Sequence, residues 1–208
     1  MELCIADLDG TLLRGNSMKR FMRWLPAALW ERRTPLEAAA ALWWIGLRAM
    51  RVVSHRRMKW HLGVIGNRSL RGGDWKRFAE RELLPMVNPA VAGHIDSLRK
   101  RGAKVCVASA AMEPYVEPLR ELLRYEHQLS TPHSETFESY IEMRGQRKLD
   151  AIRDLLASGG YTLASFLTDH ADDLPTAAAY PTRTILVNPS PASLQRFAAA
   201  GITSILPE

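Results

Sequence analysis

Two aspartates separated by one residue follow the first apolar run of the chain. Asp7 and Asp9 lie in residues 3–11, LCIADLDGT. Because side chains alternate along a strand, residues two apart point to the same side, so a strand here brings both carboxylates into one small volume. Such a pair is repulsive unless a cation or a shared proton compensates, and an all-oxygen ligand set suits Mg²⁺. A buried strand that ends in an Asp-Gly turn at Gly10 explains the same residues, so this stretch alone leaves both interpretations open.

Two further predicted strands also end in polar residues. The run at residues 104–108 stops at Ser109, and the run at residues 163–168 stops at Asp169. In an open parallel sheet, ligands bind beyond the carboxyl ends of the strands. We therefore expect Ser109 and Asp169 to lie near the aspartates that follow the first strand.

Helix and strand patterns alternate from residue 88 onwards. The predicted strands are residues 104–108, 163–168, 184–187 and 202–206, with a small hairpin or short strand at residues 133–142. The predicted helices are residues 89–100, 113–124, 146–157, 172–180 and 192–199. Repeated strand and helix units with apolar strands predict an α/β fold with a doubly wound parallel sheet.

The segment after the first strand contains no convincing strand pattern. Residues that commonly begin helices predict four helices there: two with Ser17 and Ser54 as N-caps, one with Pro35 in its first turn, and a fourth from Gly72 to near Pro85. This segment therefore reads as a helical insertion in the α/β fold.

The insertion also differs in charge from the rest of the chain. Residues 14–81 contain 16 Lys and Arg against 4 Asp and Glu, a balance of +12; because the chain carries +6, the remainder carries −6. All six tryptophans lie in the same stretch: Trp24, Trp30, Trp43, Trp44, Trp60 and Trp75. We predict a core domain of residues 1–13 and 86–208, and a helical cap domain of residues 14–85.

Residues 7–11 have the form DxDxT, and with it the chain resembles the haloacid dehalogenase (HAD) superfamily, most of whose members are phosphatases. Three more motifs of that superfamily occur in the expected order. The strand ending at Ser109 resembles the Ser/Thr motif, Lys148 resembles the lysine that opens a helix, and residues 168–175, TDHADDLP, resemble the acidic motif. The insertion between the first two motifs is similar to the helical C1 cap of the phosphoserine-phosphatase-like branch, subfamily IB.

The resemblance implies a Mg²⁺-dependent phosphatase that forms an aspartyl-phosphate. Asp7 would be the nucleophile and Asp9 the general acid and base. Ser109 and Lys148 would bind the phosphate of a small phosphorylated substrate chosen by the cap.

The same resemblance implies the metal ligands. Mg²⁺ would be held by Asp7, by the backbone carbonyl of Asp9 and by Asp169, with Asp173 in support. Asp172 is adjacent to Asp173, so the sequence leaves open which of the two is the second acid of the motif. His170 stands where relatives often have serine or glycine, and a surface or helix-capping role is favoured over substrate binding.

Several readings of the reaction and its substrate stay open. The acid at Asp9 favours phosphoryl transfer over carbon–halogen chemistry, because dehalogenases of the family lack it. A cap lysine that acts as a Schiff-base partner, as in phosphonatases of the family, is an alternative. The tryptophan-rich basic cap is similar to that of type C phosphatidylglycerophosphate phosphatases, which suggests a lipid phosphate and an anionic membrane surface. The other interpretation, favoured slightly, places Trp43 and Trp44 in the core of the cap.

Two further alternatives concern partners. A basic aromatic patch also suits nucleic acid, which is the less favoured partner. A non-catalytic interaction protein on a HAD scaffold is the alternative to an enzyme, although every matched catalytic position is intact.

The remaining composition points to the cytoplasm. The acidic amino terminus lacks the pattern of an export signal, and the longest apolar run, residues 38–47, is shorter than the roughly 20 residues that span a bilayer. Cys4 and Cys106 lie in apolar runs, which predicts buried thiols without a disulfide framework. We therefore expect a cytoplasmic protein, with a peripheral position at the inner membrane face as the variant that the lipid reading requires.

Overall fold

The computed structural model describes residues 1–206 of the 208-residue chain. Within them, five parallel strands form one sheet in the order β3-β2-β1-β4-β5. The strands are β1 (Glu2–Ala6), β2 (Lys104–Met112), β3 (His127–Thr131), β4 (Thr162–Thr168) and β5 (Thr184–Leu186). The central strand β1 pairs with β2 on one side and with β4 on the other. The predicted α/β fold with a doubly wound parallel sheet is confirmed.

Helices occupy the connections between the strands. Between β1 and β2 lie α1 (Ser17–Glu31), α2 (Pro35–Ala49), α3 (His55–Ser69), α4 (Gly72–Phe78) and α5 (Pro89–Lys100). The later helices are α6 (Glu113–Leu123), α7 (Gln146–Ser158), α8 (Leu174–Ala179) and α9 (Pro191–Ala199). The first four correspond to the predicted helical insertion.

The alternation of β1 explains why helices cover both faces of the sheet. Leu3 and Ile5 pack with Phe166 in one apolar cluster, whereas Cys4 and Ala6 belong to the cluster on the opposite face. Strands buried on both faces read as continuous apolar runs, as this one does. The site residues that follow β1 are therefore fixed by the best-buried strand of the sheet.

An aromatic cluster joins the helical insertion to the sheet layer. Phe21 of α1, Phe78 of α4 and Tyr115 of α6 are fully buried, and their ring centroids lie 5.5 Å apart in each pair. The apolar cluster therefore runs without interruption from α1 and α4 to β2. The division into residues 14–85 and the remainder stays a prediction.

Three predicted elements differ from the structure. Residues 133–142 contain no strand, because they belong to an irregular loop, and the strand β3 just before that loop was not predicted. The predicted strand at residues 202–206 reduces to a single bridge between Leu186 and Ile205. The fourth predicted helix ends early: α4 passes into a π-helical turn, Ala79–Leu83, and a 3-10 turn, Leu84–Met86.

The cysteine and tryptophan predictions have mixed outcomes. Cys4 and Cys106 are buried and free, as predicted. Trp44 stacks on His61 with ring centroids 3.4 Å apart, in agreement with a place in the cap interior. The same interpretation is wrong for Trp43, whose exposed fraction is 64%.

Among residues 1–206, every helix is too short or too polar to cross a lipid bilayer.

Removing one ring from the aromatic cluster tests its contribution to stability. We expect Phe78→Ala to lower the free energy of unfolding by about 3–5 kcal/mol, because it leaves a cavity among fully buried rings. Urea unfolding measures this loss. Leu36→Ala, at an 82% exposed position, is the control and should change stability by less than about 0.5 kcal/mol. Equal, small changes in both variants would contradict the prediction.

Candidate active site

A cavity of about 590 Å³ opens where β1, β2 and β4 end. All the site residues predicted from the sequence line it: Asp7, Asp9, Ser109, Lys148, Asp169 and Asp173. These residues come from parts of the chain more than 160 residues apart, and the parallel sheet brings them together at one edge. The structure thus assembles the predicted group in one place, while the chemical role of each member stays a prediction.

A buried lysine forms the centre of the site. Lys148 Nζ donates a hydrogen bond to Asp7 Oδ1 at 2.8 Å and lies 2.7 Å from Asp173 Oδ1. All three side chains are nearly inaccessible to solvent. Although burial would lower the pKa of Lys148, the carboxylates of Asp173 and Asp7 outweigh burial and raise it. The ammonium therefore stays charged between two carboxylates.

The two carboxylates beside Lys148 have different surroundings. Thr168, the last residue of β4, donates its hydroxyl to Asp173 Oδ2 at 2.8 Å, which fixes that carboxylate. Asp7 directly follows β1 and lines the cavity. Burial raises the pKa of the Asp7 carboxyl, and the Lys148 ammonium opposes this shift. A further cation in the cavity would stabilise the ionised form of Asp7.

The first turn of α1 orients Asp9. The backbone N–H of Ser17 donates to Asp9 Oδ1 at 2.7 Å, and the Ser17 hydroxyl donates to Asp9 Oδ2 at 3.0 Å. Burial raises the pKa of Asp9, while these hydrogen bonds lower it. Ser17 was predicted as the N-cap of this helix, but the N-cap is Asn16, whose side chain accepts from the Lys19 N–H at 2.9 Å.

Asp169 lies directly against the loop that carries the first two aspartates. Thr11 donates its hydroxyl to Asp169 Oδ1 at 3.2 Å. A Cβ atom at Gly10 would lie 2.1 Å from Asp169 Oδ2, and Gly10 has a φ of +80°, so only glycine fits here. Burial raises the pKa of Asp169 to about 6, against the lowering effect of hydrogen bonds from its own backbone and from Thr11.

The donor atoms at this edge fit a hard divalent cation that keeps some of its water. Among residues 1–206, no three His, Cys, Asp or Glu side chains form a complete metal cage. The contact between Gly10 and Asp169 nevertheless places the Asp169 carboxylate at the loop that begins with Asp7. Two carboxylates and a carbonyl form an all-oxygen set, which suits Mg²⁺ because that ion binds few protein ligands and retains water.

The neighbours of the acidic motif separate Asp172 from Asp173. Asp172 is partly exposed at the cavity rim and pairs with Arg144, whose Nη2 lies 3.0 Å from its Oδ2. Asp173 is buried beside Lys148. His170 accepts a hydrogen bond from the Asp172 N–H at 3.1 Å and caps a short 3-10 turn, as the preferred interpretation predicts, and it also lines the cavity.

Ser109 ends the predicted run of β2 and is buried beside the cavity. Its Oγ accepts a hydrogen bond from the Ala111 N–H at 3.1 Å. The hydroxyl keeps a proton that it can donate into the cavity.

A set of contacts that the sequence did not indicate fastens the loop of residues 132–144 to α3. Lys59 Nζ donates to Glu142 Oε1 at 2.6 Å, and Trp60 Nε1 donates to the Ser134 carbonyl at 3.0 Å. Arg56 also donates to the Tyr140 carbonyl. Arg56, Lys59 and Trp60 form no sequence pattern that indicates a contact with a distant loop. Only the tertiary structure reveals this contact.

The parallel sheet and the carboxylates around a buried lysine at its carboxyl edge define the class of protein: an α/β enzyme with its candidate active site at the strand ends. The chain belongs to the haloacid dehalogenase-like hydrolase family, whose model matches residues 4–178. This match confirms the predicted superfamily and the hydrolase class. A comparison with curated protein sequences found no match.

The fold is similar to several solved structures. A protein with unknown function from Bordetella pertussis Tohama I has a TM-score of 0.75 and 18% identity, over 99% of this chain and 98% of that chain. Phosphoserine phosphatase in its apo form has a TM-score of 0.64 and 14% identity, over 100% and 94%. A phospho-aspartyl intermediate analogue of phosphoserine phosphatase has a TM-score of 0.59 and 13% identity, over 94% and 90%. At these identities the likeness shows a shared fold.

Replacing the central lysine tests whether the ionic contacts hold the site together. We expect Lys148→Met to lower the free energy of unfolding by about 3–5 kcal/mol, because it leaves buried carboxylates without their cation. Urea unfolding in a chelating buffer measures the loss. A second change, Asp173→Asn, should restore part of it, and a double variant less stable than Lys148→Met would contradict this account.

Proposed function

We propose that this protein is a Mg²⁺-dependent phosphatase that hydrolyses a phosphomonoester through an aspartyl-phosphate. The observation that carries the proposal is the pairing of Asp7 with the buried Lys148 in a cavity where Asp9 is separately held by Ser17. Lys148 favours the ionised form of Asp7, against the burial that raises its pKa, and Asp9 is positioned through hydrogen bonds for proton transfer. A nucleophile must be ionised to attack, and a general acid must be oriented to give up a proton, so the two aspartates suit these two roles.

The reaction proceeds in two displacements at phosphorus. Asp7 attacks the phosphorus, the bond from phosphorus to the ester oxygen breaks, and Asp9 gives its proton to the leaving oxygen. Water then attacks the phosphorus of the aspartyl-phosphate and gives a proton to Asp9, which releases inorganic phosphate and restores Asp7. The second step restores the carboxylate of Asp7 and the proton of Asp9, so the enzyme is ready for another cycle.

The remaining cavity residues stabilise the charge on the phosphoryl group. Ser109 donates a hydrogen bond and Lys148 supplies a positive charge to its oxygens, because phosphoryl transfer depends mainly on positioning and electrostatic stabilisation. Asp7, the Asp9 carbonyl and Asp169 would hold Mg²⁺, with Asp173 in support through Lys148. The ion would neutralise part of the negative charge that carboxylates and phosphate bring together.

The comparisons support the same proposal. Phosphoserine phosphatase, including a form named as its phospho-aspartyl intermediate analogue, shares the fold over almost its full length. The family that the chain belongs to is one of hydrolases. Neither observation names a substrate for this chain.

One cation on the cavity wall favours a second negative group on the substrate. Lys19 of α1 lies there outside the group around Lys148 and forms no ion pair with a carboxylate of the described residues, whereas Arg144 is paired with Asp172. A substrate ammonium group would be repelled by Lys19, and a second negative group would be attracted. We therefore propose that the cap, residues 14–85, selects a phosphomonoester that carries negative charge beyond its phosphate.

Loss of the nucleophile should abolish the activity. We expect wild-type protein to hydrolyse p-nitrophenyl phosphate with Mg²⁺, to lose this activity in EDTA and to regain it on adding excess Mg²⁺. Asp7→Asn should fall to the rate of the buffer, because an amide does not attack phosphorus. Asp172→Asn, on the cavity rim, is the matched control and should stay active. Wild-type activity in Asp7→Asn, or no wild-type activity, would refute the phosphatase.

Replacing Asp9 should slow the reaction most for substrates whose leaving oxygen has to be protonated. We expect Asp9→Asn to reduce kcat by about 10²–10⁴-fold for an alkyl phosphate, whose leaving oxygen must be protonated. The reduction should be much smaller in the first step for p-nitrophenyl phosphate, whose leaving group departs as an anion. Burst kinetics with both substrates separates the two steps, and equal reductions of that step would argue against Asp9 as the acid.

A further inference from the structure

The helix α2 exposes apolar side chains along its outer surface. The residues of α2 that are exposed to solvent are all apolar: Pro35, Leu36, Ala39, Leu42, Trp43 and Ala49. The small residues Ala38 and Ala41 are the ones buried against the neighbouring helices. This is the reverse of an ordinary surface helix, which buries its large apolar side chains and exposes polar ones.

Exposed apolar residues continue along the chain beyond both ends of α2. Trp30, near the end of α1, is 70% exposed, and Met50 and Val52, just after α2, are 64% and 67% exposed. With Leu36, Leu42 and Trp43 they form what we call the α2 face. Six of the large apolar side chains that are most exposed in residues 1–206 therefore lie in one short stretch, and an exposed apolar patch of this kind marks an interaction site.

Arginines lie at both ends of the α2 face. Arg33 follows α1 and Arg51 follows α2; both are exposed, and they take left-handed φ angles of 60° and 61°. Neither forms an ion pair with a carboxylate of the described residues, nor does Arg48 in the last turn of α2. The apolar surface is thus bordered by cations that are free to meet a negatively charged partner.

We propose that the α2 face docks on the surface of a lipid bilayer that contains anionic lipids. Apolar side chains that include tryptophan, bordered by arginine, match the acyl and headgroup layers of such an interface. A second copy of the chain fits less well, because residues 14–81 carry a charge of +12 and two such surfaces repel each other. The charge of the cap therefore selects the bilayer over self-association.

The helix α3 links the α2 face to the cavity. Trp44 of α2 stacks on His61 of α3, with ring centroids 3.4 Å apart. Lys59, in the same helix, donates a hydrogen bond to the backbone carbonyl of Ala110, which lines the cavity. Docking would hold the cavity beside the membrane surface.

Sedimentation of the full chain with vesicles tests the proposal. We expect binding to phosphatidylcholine vesicles that contain phosphatidylglycerol, weaker binding at high ionic strength, and little binding to pure phosphatidylcholine. Trp43→Ser should reduce the partition coefficient about tenfold to a hundredfold, because it removes a large side chain from the interface. Arg51→Glu should weaken binding to the anionic vesicles alone.

Variants outside the helical insertion serve as controls. Leu194→Ser on α9 and Arg153→Glu on α7 change an exposed apolar residue and an exposed arginine, and both should bind as the wild type does. Hydrolysis of p-nitrophenyl phosphate should be unchanged in Trp43→Ser, which shows that the variant is folded and keeps the two proposals separate.

Three outcomes would overturn the docking surface. One is the absence of binding to vesicles with phosphatidylglycerol. Another is equal binding of Trp43→Ser and Leu194→Ser. The third is a wild-type dimer in sedimentation equilibrium that Trp43→Ser dissociates, without vesicle binding, which would assign the α2 face to a second copy of the chain.

Discussion

The ion pairs of one buried lysine are the constraint on which the rest of this site depends. Lys148 lies between Asp7 and Asp173, out of contact with solvent, so each of the three charges needs the others to remain in the interior. Around them, Asp9 and Asp169 add two more carboxylates to the same cavity. Four carboxylates against one ammonium make this part of the cavity negative when all are ionised. A divalent cation would offset that charge and allow a phosphate dianion to bind there.

The sequence located the residues that line the cavity better than the residues that orient them. The order of Asp7, Ser109, Lys148 and Asp169 on strand ends and a helix start was enough to predict one assembled site, because parallel strands end at a common edge. The supporting residues gave weaker signals. Ser17 was recognised as a helix-start residue, yet its neighbour caps the helix while Ser17 itself binds Asp9.

Elements fixed by tertiary contacts were the ones that sequence patterns misplaced. The edge strand β3 has the polar sequence HQLST, which lacks the apolar pattern of a strand. Its pairing with β2 holds it in the sheet, and the sequence of β3 alone does not indicate that pairing. Residues 133–142 alternate like a strand, but the side chains of α3 bind their carbonyl groups and hold them as a loop. Trp43 and Trp44 are adjacent, and only the packing of α2 decides that one stacks on His61 while the other faces solvent.

The hydrogen bonds from the first turn of α1 to Asp9 mean that the helical insertion cannot be replaced without affecting the cavity. If the insertion were an independent module, another one could be grafted in its place without changing the residues at the strand ends. Here the group that orients Asp9 belongs to the insertion, since Ser17 lies beyond the predicted boundary between residues 13 and 14. A different insertion joined at that boundary would remove the two hydrogen bonds that orient Asp9. An exchanged cap would keep Asp9 oriented only if it carried a serine or an equivalent donor in its first helical turn.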